Sequence, residues 1–88
     1  GGIFKTWRKR YFIVQGDSLS YYDHPYDDKA KGSIPLASSV VSEASSFTQK
    51  PHTFGIYDEN NLNRTYFLQA EDSEEADDWI LFLNDYIS

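Results

Sequence analysis

No cysteine occurs in the 88 residues, which excludes a disulfide scaffold, a thiolate nucleophile and a zinc–cysteine site, and suits a reducing compartment. Long apolar runs are missing too. No stretch approaches the roughly 18 apolar residues of a membrane span, and no hydrophobic leader is read ahead of a cleavage site. There is no internal repeat, low-complexity tract or linker, the serine-rich residues 38–46 being too few for one. Basic residues are scarce, 8 Lys and Arg against 14 Asp and Glu, for a formal net charge of −6. Such a balance argues against the broad basic stripe that non-specific nucleic-acid binding needs. What is present, 40% hydrophobic and 17% aromatic residues in a chain of single-domain length, describes an aromatic-rich globular domain.

The net charge hides an asymmetry. Residues 1–31 carry six bases (Lys5, Arg8, Lys9, Arg10, Lys29, Lys31) against four acids, a net of +2. Residues 57–88 carry nine acids against Arg64 alone, a net of −8. Charges are screened over about 8 Å at physiological ionic strength, so an anion near the first segment feels that segment's charge and little of the far end.

Periodicity divides the chain into strands and one helix. Residues 6–14, TWRKRYFIV, are aromatic and β-branched and predict a strand. One face carries Trp7, Lys9, Tyr11 and Ile13, the other Arg8, Arg10, Phe12 and Val14. Gln15-Gly16-Asp17 is turn chemistry, so residues 18–23 return as a hairpin arm. Residues 24–30 form a polar loop, residues 32–36 a third strand whose Pro35 suggests an edge or bulge, and residues 40–44 a fourth. Residues 53–57 and 65–70 make a second hairpin around a polar loop, 58–64. From Ser73 the apolar residues fall at Ala76, Trp79, Ile80, Leu83, Tyr86 and Ile87, a helical spacing. Asp72 or Ser73 can cap that helix, Asp72 with Glu75 has capping-box spacing, and Glu74, Glu75, Asp77 and Asp78 suit its positive end.

The residues that carry chemistry are Lys5, Arg8 and Arg10. In a strand the two arginines share a face at about 6.6–6.8 Å, continuing the apolar face of Phe12 and Val14. Guanidinium forks there suit phosphate oxygens, which arginine binds in bidentate fashion, and Lys5 can fold over the same site as a point charge. This reading requires both arginines on one face, and neither buried against a carboxylate. Lys9 faces the other way as a surface charge, and Ile3 and Phe4 are set to meet a membrane or to pack under their own loop. His24 and His52 read as ordinary loop residues without metal-ligand spacing, and no cofactor is implied. Asp27-Asp28 and Asp77-Asp78 are adjacent solvated pairs unsuited to acid–base work. With no glycine-rich phosphate loop or nucleophile–base pairing, no enzyme is expected.

The order GGIFKTWRKRYFIV, LSYYD, KGSIPL, FGIY, RTYFLQA and DSEEADDWILFLNDY resembles a pleckstrin homology domain over nearly the whole chain, with Trp79 at the family's helix tryptophan. The resemblance implies a mainly β fold with one C-terminal α-helix, a partly open antiparallel barrel or sandwich capped by that helix, in one domain over residues 1–88. It also implies that the family's first strand is missing from this chain, leaving a sheet edge unpaired. By resemblance Lys5, Arg8, Arg10, Tyr21 and Lys31 form a phosphoinositide headgroup site. Ile3, Phe4 and Lys9 then touch the membrane, and the helix lies at the end away from it. The expected role is a cytoplasmic, peripherally recruited membrane-targeting module, with a preference for 3-phosphorylated headgroups that rests on resemblance alone. The 58–64 connection is too short to add headgroup contacts. The alternative is a protein-interaction module of the same fold without lipid specificity, using the helix acids or the 57–64 hairpin; no nucleic-acid partner is expected.

Overall fold

The computed structural model describes residues 10–88. They fall into two compact units, residues 10–37 and residues 38–88. The first is an antiparallel sheet of β1 (Tyr11–Gln15), β2 (Ser18–Tyr22) and β3 (Gly32–Pro35), in the order β1-β2-β3. The second holds β4 (Ser39–Glu43), a one-turn helix α1 (Ser45–Thr48), β5 (Thr53–Asp58), β6 (Asn61–Gln69) and α2 (Ser73–Ile87), its sheet ordered β4-β5-β6.

The register of the first unit is set by its turn. Gln15 pairs with Ser18 across Gly16-Asp17, and Gly16 has φ 59°. Primed two-residue turns need a positive φ at this first position, which glycine adopts at no steric cost. That closure places Val14 opposite Leu19 and Phe12 opposite Tyr21, and β3 adds Ile34 beside Leu19 and Gly32 beside Tyr21. Leu19 and Ile34 are fully buried on this face, while Ile13 on the other is half exposed. Pro35 ends β3 at an edge of its sheet, where a missing N–H costs no ladder bond.

In the second unit one sheet face buries Val41, Phe54, Ile56 and Leu68. Helix α2 packs on β4 and buries Ala76 and Leu83. Asp72 caps it, its carboxylate accepting the Glu75 N–H at 2.8 Å. Asn84 then closes the sheet edge. Its side-chain oxygen accepts the Val41 N–H at 3.2 Å and its amide donates to the Val41 carbonyl at 2.9 Å, pairing a strand that stands at the edge of its sheet among the described residues.

Two details depart from the sequence expectation. The second hairpin is tighter than a 58–64 loop, because β6 begins at Asn61. Asp58 pairs with Asn61, its carboxylate accepts the Asn60 N–H, and a register shift between Tyr57 and Asp58 absorbs the extra residues. Polar Asn61, Asn63 and Arg64 give no apolar alternation, so sequence alone reads them as loop. Helix α1 is also additional to the one helix expected. Ser45 donates to Glu43 from its backbone N–H, and hydrogen bonds from the Ser45 side chain and backbone hold the Glu43 carboxyl below the usual carboxylate range. Phe47 stacks on Phe67 at 5.3 Å between ring centroids.

Candidate anion-binding site

Arg10 immediately precedes β1 on the face of Phe12 and Val14. One step beyond the Tyr11–Tyr22 pair the hairpin register sets it opposite Asp23, and its guanidinium donates to the Asp23 carboxylate. The same guanidinium lies 5.5 Å from the centre of the Tyr21 ring, within cation–π range. Phe12 flanks that ring from β1 at 6.3 Å, tilted by 50°. From the other side Lys31 donates its backbone N–H to the Tyr21 carbonyl at 2.7 Å, and its ammonium lies 3.5 Å from the second Asp23 oxygen.

Gly32 makes room for this arrangement. A Cβ there would meet the Tyr21 hydroxyl oxygen at 2.3 Å and the ring carbon bearing it at 2.6 Å, closer than nonbonded atoms approach. The phenol therefore lies across β3 because β3 offers no side chain at that point. Two cations, one carboxylate and a phenol thus gather from segments at β1, β2 and β3, with a net charge of +1. Arg10 is mostly covered, its side chain 19% exposed, against 27% for Asp23 and 58% for Lys31.

Of the residues singled out from sequence, Arg10, Tyr21 and Lys31 come together in this way. Lys5, Arg8, Ile3, Phe4 and Lys9 lie outside the described residues, as does the test of whether both arginines share a face. Arg10 does meet a carboxylate. The pair keeps part of its surface in solvent, so the guanidinium is partnered without being sealed in. Asp23 and Gly32 are the site residues that sequence reasoning missed. Counting back from the Gly16 turn would have put Asp23 opposite Arg10, and the spacing of Gly32 from Tyr21 shows only once β2 and β3 are in register. Among the described residues no group of three or more His, Asp or Glu side chains could hold a metal ion, and no helix is long and apolar enough to cross a membrane. His24 stacks on Tyr26 at 5.2 Å in the β2–β3 loop.

The sequence profile of the PH domain family matches residues 1–88. The chain belongs to the PH domain family. The expected fold class holds, the described residues forming two antiparallel three-stranded sheets and a C-terminal helix. The RAC family serine/threonine-protein kinase homolog of Dictyostelium discoideum is 37% identical over 83 residues, 94% of this PH domain and 18% of the kinase. Human cytohesin-2 is 29% identical over 99 residues, 91% of this chain and 24% of that protein. The PH domain therefore spans about a quarter or less of these relatives. Among solved structures, the C-terminal PH domain of pleckstrin in complex with D-myo-Ins(1,2,3,4,5)P5 superposes with a TM-score of 0.73 at 30% identity, covering 92% of this chain and 81% of that one. A solution structure of a pleckstrin homology domain gives 0.77 at 28% identity, covering 99% and 76%. The PH fold is a binding module rather than a catalytic one.

Proposed function

We propose that this PH domain is a phosphoinositide-binding module that recruits its parent protein peripherally from the cytoplasm to membranes, with a preference for 3-phosphorylated headgroups. The observation that carries the reading is the convergence of Arg10 and Lys31 beside Tyr21 over Gly32, in a fold whose pleckstrin relative is described in complex with an inositol pentakisphosphate. Lys5 and Arg8 complete the basic set, and Ile3, Phe4 and Lys9 contact the lipid surface. Charge-assisted hydrogen bonds contribute about 1.5–3 kcal/mol each, and each base near an anionic leaflet adds about 1 kcal/mol. Three or four such contacts support binding in the micromolar range once association costs are met. The module performs no catalysis and needs no cofactor.

The direct test is pelleting with liposomes that contain phosphoinositide. Arg10→Ala is expected to abolish phosphoinositide-dependent pelleting, and pelleting that survives the substitution unaltered would remove Arg10 from the site. A second reading, capture of a protein partner, draws on Leu62, Leu81 and Phe82, exposed at 67%, 70% and 49% on the second unit. It expects partner binding that does not depend on phosphoinositide.

A further inference from the structure

The Asp23 carboxylate divides its two oxygens between two cations from different segments, Oδ1 to Arg10 and Oδ2 to Lys31. Two oxygens of a phosphate would use the same donors in the same way. We infer that Asp23 is a built-in occupant of the anion site, which the headgroup displaces, and that this exchange leaves a singly charged anion without net gain there. The inference rests on the lipid-headgroup reading of this site and adds to it a residue that sets affinity.

The argument is one of charge balance. A monoanion that takes the place of Asp23 exchanges one negative charge for another and gains nothing from Arg10 or Lys31. It also leaves the displaced carboxylate close by as a like charge. A phosphomonoester brings about −1.5 to −2 charges at neutral pH, and a second phosphate on the same ring can engage further bases, so only the multiply charged ligand recovers more than the exchange costs. Displacement is feasible because Asp23 directly follows β2 and opens the loop to Lys31, with its side chain 27% exposed. A rotated carboxylate returns to water rather than to a buried, unpaired state.

Calorimetric titration of the full chain with inositol 1,3,4,5-tetrakisphosphate and with inositol 1-phosphate tests this. Releasing a partly exposed ion pair is worth on the order of 1 kcal/mol, so Asp23→Asn should bind the tetrakisphosphate about fivefold more tightly. Inositol 1-phosphate, a phosphomonoester that meets the same carboxylate, should gain by a similar factor. Arg10→Ala should lose both. If Asp23→Asn binds equally or more weakly while Arg10→Ala loses binding, Asp23 organises the cations instead of competing for them; the inference fails and the headgroup site stands. If Arg10→Ala binds as the unsubstituted protein does, or if no form binds either ligand, the site reading fails and takes the inference with it. A second measurement needs no substitution. On titration of the unsubstituted protein with the tetrakisphosphate, the carbon resonance of the Asp23 carboxylate should move toward that of a solvated aspartate, and a resonance that stays in place at saturation overturns displacement.

Discussion

Residues 38–88 back a three-stranded sheet with a fifteen-residue helix, cap that helix at Asp72 and tie it to β4 through Asn84. Residues 10–37 have three short strands, no helix of their own, and a cluster of two cations and a carboxylate where β1 and β2 meet the loop to β3. The charge follows the same division, with the acids concentrated after residue 57 and most bases before residue 32. One region is built from buried apolar contacts and satisfied backbone; the other places polar groups where solvent still reaches them. The proposed recognition thereby falls to the region with the thinner core, and the strongly acidic total charge belongs mainly to the other region.

Substitutions at the centre of each region separate the two roles. Leu83 is fully buried in α2, and Leu83→Ala should cost about 2–5 kcal/mol in denaturant unfolding. Headgroup affinity of the molecules that remain folded should be preserved. A fall in affinity larger than the unfolded fraction explains would show that the regions are not separable in this way. Gly32→Ala should cost less, about 1–3 kcal/mol for an overpacked contact, yet it should weaken headgroup binding because the Tyr21 ring must leave its position. An alanine variant with unchanged affinity would show that the placement of the phenol across β3 is immaterial to recognition.

Much of this division was legible in the sequence. The aromatic and β-branched runs, the Gly16 turn, the capped helix from Ser73 and the separation of bases from acids all follow from local rules, and the structure agrees wherever it describes them. Local rules failed where pairing decides. Residues 61–64 become strand because Asn61 pairs with Asp58 and Thr65 with Tyr57, the register shift between them taking up residues 62–64, and a four-residue helix such as α1 has too few positions for a period to show. At the site, Arg10, Tyr21 and Lys31 were each identifiable as donors. Asp23 was counted only as one of four acids, because its role depends on a cross-strand neighbour thirteen residues away. Gly32 likewise has a reason only once Tyr21 is known to lie over it.

On the proposed function the anion binds at the cluster around Arg10, Asp23 and Lys31. Residue-resolved backbone amide spectra, recorded while the full chain is titrated with inositol 1,3,4,5-tetrakisphosphate, test it most directly. The largest shifts should fall at Arg10, Tyr21, Asp23 and the residues around Lys31, with β4 to β6 and α2 little changed. Saturable shifts centred on α2 or on the β5–β6 hairpin, with those four positions still, would contradict it.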